Sequence, residues 1–494
     1  MKNLRHKTLA AASVVTLGVG LAITGGLSPA AATGPDNTFL VLAPPNGKTD
    51  KAAARVAAAN GTVVASYDQI GVLVVRSTNP NFVTQVAGVG VDSVASTAGL
   101  GTALEEGETV EVSAEEVANA TGDPTKEPMY GQQWDMNMIH VPQAHAVNTG
   151  SSNVVVGVLD SGISSTHPDL ATQIAKDKST SCIGGVTNTA EAAWNPTTSD
   201  HGTHVAGTIA AAVNGVGVTG IAPGVKVAAV KVVNDDGYIY PEAAVCGFLW
   251  AADHGMQLTN NSYYIDPWEL NCRNDARQRP VWQAVQRAIR YSQSKGVLNI
   301  ASAGNSNYDL AHKITDTGSP NNGTPENREN LTNACLDLPA EAPGVVTVGA
   351  VGPTGEKSYY SSYGQGTIDV TAPGGDSRIR TQGLRSTSTD AILSTTFNTA
   401  TKTNGWGYKQ GTSMSGPHAT GVAALALSAH PGMTPGQLSS FLERTAVGMS
   451  CPQGVYNPTP LWPNNANTYE ATCSGGARNG FYGFGMVDAY NVVK

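Results

Sequence analysis

VVVGVLDSG, residues 154–162, decides how the rest of the chain is read. Its apolar run is short, continuous and rich in valine, and it stops at an acid followed by serine and glycine. A run of this kind, apolar on both faces, reads as a strand inside a parallel sheet. The acid at its carboxyl end falls where such sheets present functional groups. Outward from it the alternation repeats. GTHVAGTIAAAV (202–213) reads as a helix, VKVAAVKVV (225–233) as a strand, and PEAAVCGFLWAADHG (241–255) as a helix. QLTNNSY (257–263) is a strand, PVWQAVQRAIRYSQSKG (280–296) a helix with an apolar stripe, and VLNIASAG (297–304) a strand. VVTVGAV (345–351) and IDVTAPG (368–374) add two more. The fold class that follows is α/β: a mostly parallel sheet with helices on both faces, spanning 129–494.

The 494 residues are 40% apolar and only 14% charged, with 56 glycines, a globular and loop-rich composition. A net charge of -9 provides no electrostatic basis for a nucleic-acid partner. The chain opens with basic MKNLRHK, an apolar stretch and Ala30-Ala31-Ala32, the pattern of a removable signal peptide over 1–32; a retained anchor is the alternative. No other stretch is apolar enough to cross a bilayer, so a secreted, extracellular location without a membrane partner is expected. Residues 33–100 read as a small α+β domain, with strands at TFLVLAP and GTVVASYDQIGVLVVRS and helices at TDKAAARVAAAN and NPNFVTQVAGV. Residues 101–128 carry six glutamates between Glu105 and Glu116 and read as an exposed linker. Six cysteines in an exported chain point to disulfides. Of the 15 pairings, only Cys451–Cys473, flanking one loop, is singled out.

Four polar groups fall at strand ends or at helix starts: Asp160, His201, Asn305 and Ser413. Singly, each has an ordinary reading as a turn former, cap or surface residue. Together they supply a nucleophile, a base, an orienting carboxylate and an oxyanion donor. A serine hydroxyl attacks only when an imidazole takes its proton, and a carboxylate fixes that imidazole's tautomer. In GTSMSGPHATG (411–421) a tight turn exposes Ser413, and a helix beginning near Ser415 supplies a positive end.

VVVGVLDSGISSTHPDL, DHGTHVAGTIAA, ASAGN and GTSMSGPHATG resemble, in order, the signature segments of the subtilases, the subtilisin-like serine endopeptidases. The resemblance runs from about residue 130 to the end. It implies a triad of Asp160, His201 and Ser413, with Asn305 completing the oxyanion hole. It makes His204 structural, gives Ser262 the substrate backbone and one pocket wall, and puts Ala303 and Gly304 on the other wall. Tyr263 and Tyr264 stand where the family often has leucine–glycine, so two rings are expected to narrow or re-aim the pocket. Asp169 and Asn214 match two ligands of a structural calcium site, helped by carbonyls of AAVNGVGV (211–218); Tyr130 replaces a glutamine ligand. Residues 33–100 resemble the family's propeptide, an intramolecular inhibitor cut away within the acidic linker. Cys272 and Cys335 are placed to anchor the inserted loops. The implied protein is a monomeric serine endopeptidase acting on proteins or peptides and made as an autoprocessed zymogen. A narrow-specificity processing peptidase and a non-catalytic binding protein on the same scaffold are the alternatives.

Overall fold

The computed structural model describes residues 37–45, 47–97, 110–112, 122–320, 326–378, 388–461 and 468–494. The segment 1–32 and most of the acidic linker lie outside them.

Seven strands form the main sheet, in the order Val370–Pro373, Val346–Val351, Leu298–Ser302, Leu258–Asn261, Val155–Asp160, Lys226–Lys231, Thr180–Ser181. Every pairing in it is parallel. Val155–Asp160 lies inside the sheet, paired with Leu258–Asn261 and Lys226–Lys231, and all six of its residues are buried. Its side chains alternate between two cores. Val156 and Val158 join the cluster beneath helices His201–Ala210 and Thr412–Ala429. Val155 and Leu159 join the one beneath helices Pro241–Asp253 and Arg279–Ser294. With helices on both faces no strand face meets water, which is why the sequence needs continuous apolar runs.

The small N-terminal unit is an antiparallel sheet in the order Gly61–Tyr67, Val72–Ser77, Asn37–Leu42, Ser93–Ser96. Both its faces are covered. Phe39, Val41, Leu73 and Val75 pack on its own helices, in one cluster with Ala52, Val56 and Phe82. Leu40, Leu42, Val72 and Val74 enter the core cluster of the main domain's helices. Tyr67 donates its hydroxyl to the Gly185 carbonyl (2.7 Å), and Arg287 donates to the Ala43 carbonyl (2.9 Å).

A hairpin of Ile392–Asn398 and Thr403–Lys409, absent from the sequence reading, runs directly into the Ser413 helix and pairs with Val110–Val112. Three disulfides form: Cys182–Cys246, Cys272–Cys335 and the expected Cys451–Cys473. Among the described residues no helix is long and apolar enough to cross a membrane.

Candidate active site

Asp160 ends its strand fully buried, with the Ser161 N–H donating to Oδ1 at 2.7 Å. The chain must turn at once, and Gly162 does so at φ +103. A Cβ there would stand 2.4 Å from the Trp194 carbonyl oxygen. His201 begins the helix His201–Ala210, its Nδ1 2.9 Å and 3.0 Å from the two Asp160 oxygens. That closeness depends on Gly202, where a Cβ would stand 2.4 Å from the Gly162 carbonyl oxygen and 3.0 Å from Asp160 Cβ. The ring is buried at 1% exposure, where a carboxylate–imidazole hydrogen bond is screened little by water. Just before it, Asp200 pairs with Lys409 (2.8 Å). Burial pushes the Asp200 carboxyl up, but Lys409 outweighs this and holds it below its ordinary value.

Geometry assigns the buried histidines His204 and His418 to structure. His204 places Nε2 3.1 Å from the carbonyls of Ile392 and Gly407, and burial brings it down to about 3. His418 has both nitrogens occupied, Nδ1 by the Met414 carbonyl (2.7 Å) and Nε2 by Asp135 (2.9 Å).

Ser413 lies in the first turn of Thr412–Ala429, two residues earlier than the helix start expected near Ser415. Gly411, at φ +147, opens that turn. The first N–H groups of a helix lack intrahelical acceptors, so the turn carries donors and a positive dipole end. The Ser413 hydroxyl donates to the Ser262 carbonyl (3.3 Å), and the Ser262 hydroxyl donates back to the Ser413 carbonyl (3.0 Å). Asn305 is fixed across the turn: its Oδ1 accepts from the Thr412 N–H (2.9 Å) and hydroxyl (2.8 Å). With the oxygen engaged twice, what this carboxamide offers beyond the turn is its Nδ2 donor.

A pocket opens beside Ser413, walled by Ser262 and Tyr264 on one side and by Gly304 and Ser306 on the other. Tyr263 also lines it, although most of its ring is in the core, whereas Ala303 does not. Tyr263 is 4% exposed, sits in an apolar cluster with Ile265 and Leu338, and donates its hydroxyl to Asn261 Oδ1 (3.0 Å). The Ala303 methyl belongs to a cluster with Leu270, Leu310 and Ile368. Both tyrosines of the pair therefore border the cleft, Tyr263 with little of its surface exposed. The same pocket reaches two acids that the sequence reading missed, Glu269 and Asp337. Each lies within three residues of a cysteine, the signal that was available.

Asp169 and Asn214 do meet, yet the arrangement does not fit calcium. Asp169 Oδ1 accepts from Asn214 Nδ2 (3.2 Å), and Oδ2 accepts from the Trp406 indole N–H (2.7 Å) and the Val218 N–H (3.1 Å). Asn214 Oδ1 is taken by the Val216 N–H (3.0 Å), and Glu127 accepts from the Gly215 N–H (2.9 Å). Gln133 bonds Thr219 through both ends of its amide. These carboxylates already face N–H donors, where a calcium ion needs six to eight converging oxygens. Burial pushes the Asp169 carboxyl up to about 7, against the opposing hydrogen bonds from Trp406, Val218 and Asn214.

A doubly covered parallel sheet with an acid, an imidazole and a hydroxyl at element ends defines a class, the α/β hydrolytic enzymes with a serine nucleophile. The subtilase family model matches residues 151–485, and the chain belongs to that family of subtilisin-like serine endopeptidases. Over 337 residues it is 29% identical to fervidolysin of Fervidobacterium pennivorans, a match covering 66% of this chain and 42% of that protein's length. It is 30% identical to subtilisin DY of Bacillus licheniformis over 313 residues, 63% of this chain and 90% of the relative. In overall fold it is similar to the epidermin leader peptide processing serine protease of Staphylococcus aureus (TM-score 0.67, 20% identity, 93% of this chain and 98% of the other).

Proposed function

We propose that this chain is a secreted serine endopeptidase, made as a zymogen, in which Asp160, His201 and Ser413 act as the triad and Asn305 as an oxyanion donor. The observation that carries the reading is the buried Asp160–His201 hydrogen bond, present in a fold that also sets Ser413 on a helix start beside Asn305. Asp160 holds His201 Nδ1 protonated, which leaves Nε2 as the base. For attack, the Ser413 hydroxyl turns from the Ser262 carbonyl toward His201 Nε2 and gives up its proton as Oγ bonds the acyl carbon. The resulting oxyanion takes hydrogen bonds from Asn305 Nδ2 and the Ser413 N–H. His201 then protonates the leaving amine, and water repeats the sequence on the acyl-enzyme. No calcium-dependent step is assigned, because the residues around Asp169 and Asn214 do not fit the ion.

The organisation proposed is a signal peptide (1–32), an inhibitory propeptide (33–100), a linker holding the maturation site (101–128) and a peptidase domain (129–494), acting as a monomer on protein or peptide substrates. The packing of Leu40, Leu42, Val72 and Val74 onto the main domain's helices supports an N-terminal unit built to dock there. Incubation with a fluorophosphonate probe tests the centre of the proposal. Wild type should be labelled, whereas Ser413→Ala should lose both labelling and self-processing. Labelling that survives in the variant removes Ser413 from the chemistry.

A further inference from the structure

The pocket beside Ser413 ends on two carboxyl groups that the hydrolytic chemistry does not use. Asp337 is 2% exposed and Glu269 6% exposed. Both converge on Gly304, whose φ of +91 and missing side chain keep the passage open. A Cβ there would stand 3.2 Å from Asp337 Oδ2 and 3.7 Å from Glu269 Oε1. Glu269 accepts a hydrogen bond from the Ser306 hydroxyl (2.7 Å) on the pocket wall. Asp337 Oδ1 is buried with no hydrogen-bond partner. That is costly unless something else enters to satisfy it.

Neighbouring cations are engaged elsewhere. Lys313 bonds Glu341 (2.7 Å) and the Leu310 carbonyl (2.6 Å), while Arg328 pairs with Asp316 and the Leu270 carbonyl (2.9 Å). Burial and the nearby Glu269 and Glu341 carboxylates push the Asp337 carboxyl well above its ordinary range, only partly opposed by Lys313. The floor is nevertheless firmly built. Cys272 and Cys335 are bonded, and their strands pair in register, Asn271 with Leu336. The acids lie three residues before one cysteine and two after the other, so this staple sets their spacing.

We propose that Asp337, with Glu269, forms the floor of the pocket for the residue preceding the scissile bond and selects a guanidinium or ammonium group there. Cleavage then follows arginine or lysine. This rests on Ser413 being the nucleophile, since only that places the pocket beside the scissile bond. An entering cation supplies Asp337 with its missing donor and expels the carboxyl proton to solvent. An apolar side chain would leave Asp337 Oδ1 buried and unsatisfied, the situation in which polar sites discriminate most strongly.

The test uses the self-processed wild-type enzyme and one peptide series differing only in the residue before the cleaved bond: Arg, Lys, Phe, Leu or Glu. Arginine and lysine peptides should exceed phenylalanine in kcat/KM by at least about 100-fold. Asp337→Asn should lower the arginine-to-phenylalanine ratio by at least about 10-fold. Should that variant fail to fold, Glu269→Gln and the inhibition of wild type by arginine-ended against phenylalanine-ended peptide aldehydes decide the matter. A fluorophosphonate-labelled enzyme that prefers Phe or Leu overturns the acidic floor alone. A wild type that resists labelling instead refutes the nucleophile on which it stands.

Discussion

Glu242→Gln should tighten the hold of the N-terminal unit on the main domain near neutral pH. Glu242 sits in the first turn of helix Pro241–Asp253, buried at 3% exposure where the small sheet comes down on it. A Cβ on Gly185 would lie 2.9 Å from both Glu242 Cβ and Val74 Cγ2, so the two sides meet at this spot. Burial pushes the Glu242 carboxyl from 4.5 up to about 7; the Thr97 hydroxyl and Arg76 on the N-terminal side oppose this without cancelling it. Tyr67 and Tyr240, which also feel the Glu242 charge, are both raised beyond the range of the experiment. When the unit lifts, the carboxyl meets water and returns to its ordinary value. The docked state therefore binds the proton more tightly. Its docking contribution is fully present below about pH 4.5, is lost as pH rises to about 7, and changes no further above that. At 1.36 kcal/mol per pH unit the loss is about 3 kcal/mol, an upper bound that water entry lowers. Glutamine carries no such penalty. Hydrogen exchange of strand Asn37–Leu42 in full-length Ser413→Ala protein reads undocking, because a unit of this size is marginal alone. Protection corrected for intrinsic rate should fall between pH 5 and 7 with Glu242 and stay level with glutamine. Identical slopes in the two proteins would refute the reasoning.

Asn305→Ala should lower kcat by about 100- to 1,000-fold with little change in KM, because the Nδ2 donor serves the oxyanion and not the bound substrate; steady-state kinetics on any cleaved peptide checks it. Trp406→Phe should cost about 1–3 kcal/mol, read as a lowered Tm, since Asp169 loses the indole N–H while staying buried. A chelator should leave the wild-type Tm unchanged if protein donors close the 211–218 loop, and a calcium-dependent Tm would count against that closure. Replacing Cys272 and Cys335 by serine should cost about 2–5 kcal/mol and loosen selectivity in the peptide series above.

The legible part of this molecule is the part built from single elements. Asp160, His201, Asn305 and Ser413 each lie at the end of a strand or the start of a helix that can be read locally, and a parallel sheet gathers such ends at one edge. The composition of Ala211–Val213 extends the helix from His201 to 213 in the sequence, whereas the chain leaves the helix after Ala210 to make the loop above Asp169. The hairpin Ile392–Lys409 was missed because polar and glycine residues mask its alternation, and its stability comes from packing on the His201 helix. Where two side chains belong to adjacent residues, sequence alone does not say which one faces the cleft. Tyr263 and Tyr264 both line the pocket, Tyr263 with its ring in the core cluster, while Ala303 turns away between Ser302 and Gly304.

The calcium expectation and the acidic floor fail to be legible for the same reason from opposite directions. Asp169 and Asn214 carry the right atoms, but a tryptophan 237 residues further along delivers an N–H to the carboxylate, and a donor there takes the place that a cation would need. Glu269 and Asp337 look like ordinary loop acids, yet a disulfide and a left-handed glycine bring them under one opening with no basic side chain bonded to Asp337. In each case the charge of a buried carboxylate is decided by what lies opposite it, and that is a property of long-range packing. An acid satisfied by protein donors stabilises a loop. An acid left unsatisfied at the end of an open pocket beside a nucleophile has only an incoming ligand to complete it, and this separates the Asp337 carboxyl from the Asp169 carboxyl although both are buried and both are raised.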